Sequence, residues 1–164
     1  AGVRRQRFSL VTHDGVQWDL TGQEPPTSLP GDGITFEQVY SHYFLGLRAG
    51  FDLGNHVGLK GLTALLQFDW AYVEGRNRDH HLLRDGERLT FEDTCGQAWH
   101  GSIGLRAGLT KRLSLAAEAD FLTISTTGSH RLVNSSYDID FIVTNGVKAW
   151  SDQSRLSLLL RYSF

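Results

Sequence analysis

Apolar and polar side chains alternate along most of this chain with a period of two. At that spacing, successive side chains of a strand point to opposite faces of a sheet. At the C-terminus Leu156, Leu158, Leu160, Tyr162 and Phe164 share one parity, and Arg155, Ser157, Arg161 and Ser163 share the other, with Leu159 the single exception. Tyr43, Leu45, Leu47, Ala49, Phe51 and Leu53 alternate with His42, Phe44, Gly46, Arg48, Gly50 and Asp52. Leu62, Ala64, Leu66, Phe68, Trp70 and Tyr72 alternate with Gly61, Thr63, Leu65, Gln67 and Asp69. Trp99, Ile103, Leu105, Ala107 and Leu109 face away from His100, Ser102, Gly104, Arg106 and Gly108, and Leu113, Leu115, Ala117, Ala119 and Phe121 from Ser114, Glu118 and Asp120. Near the N-terminus Phe8, Leu10, Val16, Trp18 and Leu20 oppose Arg7, Ser9, His13, Gln17 and Asp19. The pattern predicts six strands, roughly 5–20, 35–53, 57–77, 90–110, 112–126 and 138–164.

Strands of about 15 to 25 residues are long beside the usual 5 to 6 of globular sheets. Their polar faces carry glycine and full charges. An apolar band outside and a wet, charged, glycine-bearing interior are what an outer-membrane barrel requires, because lipid cannot hydrogen-bond an open sheet edge. Aromatic residues near strand ends (Tyr43, Phe51, Trp70, Tyr72, Trp99, Tyr162, Phe164) fit interface girdles. The reading is therefore an all-β, antiparallel transmembrane β-barrel forming a single domain over 1–164. A soluble calycin-like barrel is the competing architecture, but such barrels place charge outside and use shorter strands. The connections alternate in length. Leu53-Gly54-Asn55-His56 and Thr110-Lys111-Arg112 read as tight turns, while 21–34, 76–90 and 126–138 read as long polar loops. Short turns belong to a periplasmic rim and long loops to an extracellular one.

Composition narrows the function classes. The three prolines (Pro25, Pro26, Pro30) all fall between Gly22 and Gly33, which marks that segment as a loop and leaves the strands free of proline. A net charge of −2 argues against a nucleic-acid partner. No run of 18 apolar residues exists, so a transmembrane helix is excluded. The single cysteine, Cys95, excludes an intrachain disulfide and a four-cysteine zinc site, and no base is placed beside it by sequence. The absence of methionine reads as a processed chain or a piece of a longer one.

The charged interior has a structural reading first. Arg48, Arg106, Arg155 and Arg161 are expected to pair with Asp52, Asp69, Glu118 and Asp120 inside the barrel. The segment Tyr72-Val73-Glu74-Gly75-Arg76-Asn77-Arg78-Asp79-His80-His81 is the more specific signal. If the pleat continues, Asn77, Asp79 and His81 keep the inward parity of Thr63 and Gln67. An aspartate and a histidine two apart then point the same way. A carboxylate beside an imidazole fixes its tautomer and raises its basicity, which suits a base that activates water. On spacing alone, Asp-x-His in a polar loop is usually solvated surface.

Here the chain resembles the omptin family of outer-membrane proteases. Val73-Glu74 followed by Asn77-x-Asp79-x-His81 is similar to that family's Val-Glu-x-x-Asp-x-Asp-x-His segment, and Gly86-x-Arg88-Leu89-Thr90-Phe91 to its Gly-Lys-Arg-Ile-Thr-Tyr. Ala107-Gly108, Ile34-x-Phe36-x-Gln38-x-Tyr40, Phe44-Leu45-Gly46-Leu47 and Arg7-Phe8-Ser9-Leu10 extend the resemblance, in order, over nearly the whole chain. The alternating tail ending on Phe164 also resembles the signal read by the barrel-assembly machinery. The resemblance implies a ten-stranded barrel rising above the outer membrane, of which this chain matches the last six strands. It implies an endopeptidase with an extracellular active rim, His81 as general base, Asp79 as its orienting partner, and Asn77 in the substrate-binding position. It implies no cofactor and no metal. The implied partners are a peptide or protein substrate, outer-membrane lipid including lipopolysaccharide, and the missing strands, from the rest of the chain or from another.

Three departures stand against the family pattern. The second Asp pair is absent, and Asp14, Asp19, Asp138 and Asp140 do not match its motif. Asn77 is neutral where the family has an acid that receives a basic side chain. The family's basic lipopolysaccharide-binding positions fall at Val39 and Gly96. A non-catalytic outer-membrane barrel acting as adhesin or scaffold is the alternative function, and a diffusion pore a third.

Overall fold

The structure, a computed structural model, describes residues 1–19, 21–54, 61–83 and 88–163. Six strands form one antiparallel sheet: β1 (Gly2–Gln17), β2 (Thr27–Asp52), β3 (Thr63–His81), β4 (Arg88–Gly108), β5 (Leu113–Asn134) and β6 (Ile139–Tyr162). Their order in the sheet is their order in the chain. A single 3-10 turn, Ser135–Tyr137, follows β5, begun by the Asn134 side chain accepting the Ser136 N–H at 3.2 Å. No described helix is long and apolar enough to cross a membrane. Leu20, Asn55, His56, Gly86 and Phe164, all used in the sequence argument, lie outside the described residues.

The strands run further than the pattern predicts. β3 continues to His81 and β5 to Asn134, so most of the expected loops at 76–90 and 126–138 are strand. The proline segment is also half strand, because β2 starts at Thr27 and contains Pro30. Pro30 has no N–H to give a ladder, and it sits where the β1–β2 register slips between His13 and Gly15. Asp14 (φ 53°) and Gly31 (φ 85°) take left-handed backbone at this bulge, and the Asp14 carboxylate accepts the Gly31 N–H at 3.1 Å.

Register explains how the two faces are built. On the outer wall, Leu45, Leu47 and Phe51 of β2, Leu66, Phe68 and Trp70 of β3, Trp99, Ile103 and Leu105 of β4, Phe121 of β5, and Leu156, Leu158 and Leu160 of β6 are exposed, with Leu47 and Leu156 at 83%. This lower half follows the predicted alternation. Above the rung Tyr43–Tyr72–Gln97 the polarity inverts while the phase is unchanged. The outer wall there carries Arg5, Arg7, Glu37, Glu74, Arg76, Arg78 and Asp93, and Phe8, Tyr40 and Val73 turn inward. Phe8 was expected on an apolar outer face; it points inward and packs on a cluster of Tyr40, Ala71, Val73, Ala98, Leu122 and Ile124. Tyr40 is 0% exposed. Its ring lies over Gly75, where an added Cβ would stand 3.1 Å from Tyr40 Cε1 and 2.5 Å from Thr94 Oγ1.

No β1–β6 ladder occurs among the described residues. The sheet nonetheless curls until the inner faces of its first and last strands touch. Gln6 Nε2 donates to Gln153 Oε1 at 3.1 Å, and His42 Nε2 donates to Gln6 Oε1 at 3.1 Å. Lower on the inner wall, Asp69 Oδ2 accepts from Gln67 Nε2 and from His100 Nδ1, each at 2.7 Å. His100 Nε2 lies 3.4 Å from Asp120 Oδ1, and Arg155 binds Asp120 Oδ2 at 2.9 Å. Of the four arginines expected to pair there, only Arg155 does so among the described residues. The partner of Asp69 is a histidine, because His100 stands directly opposite it on β4.

Candidate functional site

The pleat of β3 carries Asn77, Asp79 and His81 onto the inner face in one row. Each is set in a rung by the neighbouring strands: Gln38–Asn77–Glu92–His130, Phe36–Asp79–Thr90–Leu132, and Ile34–His81–Arg88. The three residues singled out in the sequence are therefore together at the top of the sheet, on a strand and not in a loop.

The rung of Asn77 is the best ordered by hydrogen bonds. Asn77 Nδ2 donates to Glu92 Oε2 at 2.8 Å, and His130 Nδ1 lies 3.1 Å from the other carboxylate oxygen. Glu92 thus ties three strands with two oxygens. A short, mostly buried carboxylate contact of this kind is stronger than a neutral one. Neither Glu92 nor His130 was singled out from the sequence. His130 lay in a segment read as loop, and Glu92 was legible only as the inward parity of Thr90 and Thr94.

Asp79 is incompletely satisfied. Its Oδ1 is buried without a hydrogen-bond partner among the described residues. Burial pushes its carboxyl above the ordinary 3.8, the nearby Glu92 charge pushes the same way, and His81 and His130 oppose them. The carboxylate form is thus held by the two imidazoles against desolvation and a like charge. Such a carboxylate favours the imidazolium form of its neighbour. A proton taken by His81 would be stabilised by Asp79, the division of labour required of a base and its orienting acid.

His81 also lines a cavity of about 990 Å³ at the top of the sheet. The other positions resolve simply. Val39 lies on the outer wall between Arg7 and Arg76, whereas Gly96 faces inward between Val73 and Thr126. The two positions therefore lie on opposite faces of the sheet. Cys95 is exposed on the outer face, away from Asp79 and His81. No group of three metal-ligating side chains occurs among the described residues.

The class defined by this architecture is a curled, all-β antiparallel sheet of six long strands. It is similar to the structure of outer membrane protease OmpT from Escherichia coli, with a TM-score of 0.78 and 14% identity, over 99% of this chain and 55% of that one. At that identity the likeness is one of fold, and this chain spans about half the other's length. No family model matches the sequence, and no curated protein matches it.

Proposed function

We propose that this chain is the Asp–His-bearing part of an omptin-like, aspartic-type endopeptidase of the bacterial outer membrane. The observation that carries the reading is the placement of Asp79 and His81 two apart on the inner face of β3, with His81 opening into the mouth cavity. His81 takes the proton of an attacking water, and Asp79 orients the ring and stabilises the imidazolium. Asn77 lies on the next rung down, toward the wall, where a substrate side chain would lodge.

The outer wall supports the membrane part. From Tyr43 to Phe51 it is apolar on β2, a stretch at the short end of the roughly 9–11 residues that a tilted strand needs to cross the hydrocarbon. The inversion of polarity above Tyr43 and Tyr72 supports a reading in which the upper strands, and the site, stand outside the bilayer. In hydrocarbon the free edges of β1 and β6 would each leave backbone groups unpaired at several kcal/mol apiece. Further strands must join them, from the rest of the chain or from a partner. The acidic partners opposite Asp79 and His81 would come with those strands.

Cleavage of fluorogenic peptides by the full-length protein in lipid tests the proposal. His81→Ala is expected to lower the rate on the order of a hundredfold or more. Equal rates would remove His81 from the reaction. A non-catalytic barrel acting as adhesin or scaffold is favoured by one observation, the engagement of the neutral Asn77 by Glu92. Peptide binding without hydrolysis by the full-length protein would establish that second reading.

A further inference from the structure

The mouth cavity has a chemical character of its own. Its walls include Trp18, Leu29, Leu83, Leu132, Tyr137 and Ile139, which come from the tips of the β1–β2 and β5–β6 pairs and from the end of β3. Trp18 is 70% and Tyr137 62% exposed, a large apolar area to leave in water beside a functional site. Among its described lining residues Arg88 carries the only permanent charge. Arg88 stands opposite His81 in the β3–β4 ladder, and its Nε is buried with no hydrogen-bond partner among the described residues. A buried guanidinium N–H left unpaired costs free energy unless an acceptor arrives, and a carboxylate is the acceptor it fits best. About 990 Å³ is at the upper end of ligand-site volumes, enough for several residues of an extended peptide.

We infer that this cavity selects peptides carrying a large apolar or aromatic side chain next to an acidic residue, with Arg88 reading the carboxylate. The inference rests on the endopeptidase reading for the direction in which the peptide runs past His81, but its binding claim does not need hydrolysis. The neutral Asn77 and the absence of an acidic side chain among the described lining residues point the same way, since neither would attract lysine or arginine.

The test uses the full-length protein in lipid with Asp79→Asn, a substitution outside the cavity wall that removes turnover. Binding of fluorescent hexapeptides containing Phe-Glu, Phe-Lys or Arg-Lys at the centre is measured by polarisation. Phe-Glu is expected to bind at least about tenfold tighter than Phe-Lys, with Arg-Lys weakest, one charge-assisted hydrogen bond accounting for the first difference. Arg88→Gln should bring Phe-Glu down to the level of Phe-Lys, and Tyr137→Ala should weaken both. The peptide ranking requires no cavity variant, so a misfolded Arg88→Gln protein leaves the test standing. Arg-Lys binding as tightly as Phe-Glu, or an unchanged ranking in folded Arg88→Gln, overturns the inference. If the wild-type protein cleaves nothing yet binds in the expected order, the hydrolytic reading falls and this one stands. If it cleaves beside basic residues, the hydrolytic reading stands and this one falls.

Discussion

Asp79→Asn should make the protein more stable at neutral pH while removing its activity. The wild-type carboxyl is opposed by burial and by Glu92, and one oxygen has no partner. An acid whose folded-state pKa lies above its unfolded value favours the folded state only while protonated. That contribution is complete below the ordinary value of 3.8 and is lost as pH rises through the raised, folded-state value. At neutral pH the native state therefore bears the full penalty. A buried, unsatisfied polar oxygen costs about 1–3 kcal/mol. The carboxyl as a whole is only half-buried, so solvent screening reduces the gain from neutralising it to about 1 kcal/mol. For a chain of this size that corresponds to a rise in unfolding temperature of about 3 °C. Urea unfolding in lipid vesicles, followed by tryptophan fluorescence, would show the variant ahead at about pH 7.5 and level with wild type near about pH 3.5. A variant weaker than wild type at neutral pH, or stabilised equally at both, would refute the electrostatic account of Asp79.

Two further perturbations probe the walls. His100→Leu removes both ring contacts that join Asp69 to Asp120, leaving those carboxylates to Gln67 and Arg155. It should cost about 3 kcal/mol, read as a lower urea midpoint, and an unchanged midpoint would deny the network any stabilising role. Leu47→Arg, in the middle of the apolar outer wall, should cost about 2–4 kcal/mol in lipid. Ser9→Arg, higher on the outer wall opposite Glu37, should stay within about 0.5 kcal/mol. Equal costs at the two positions would mean that the lower wall does not meet hydrocarbon.

Much of this fold was legible in the alternation, because the pleat forces a side-chain period of two on every strand. The lower half of β2 displays it most plainly: Leu45, Leu47 and Ala49 point out while Gly46 and Arg48 point in. The upper halves were harder for a physical reason. Once the outer wall meets water, charge on it gives the same polar composition as a loop, and Arg76, Arg78 and Arg131 were read that way. Phe8 has the same phase as the rest of its strand, but nothing local says which side of a two-faced strand is the inside. Asp79 and His81 were found because their spacing survives in any straight strand. Glu92, His130 and Arg88 became part of the site only through pairing between strands, which no single stretch of sequence records.

The apolar cluster around Tyr40, Val73 and Ile124 has a consequence for how this molecule can fail. If the lower wall sits in lipid as proposed, the strands above it stand free, and this internal knot acts as the keel of a palisade. Loosening it would let the rim splay and scatter the residues at its crown while the lower staves stayed anchored. Defects of that kind would be invisible to any assay of insertion and plain in any assay of the mouth.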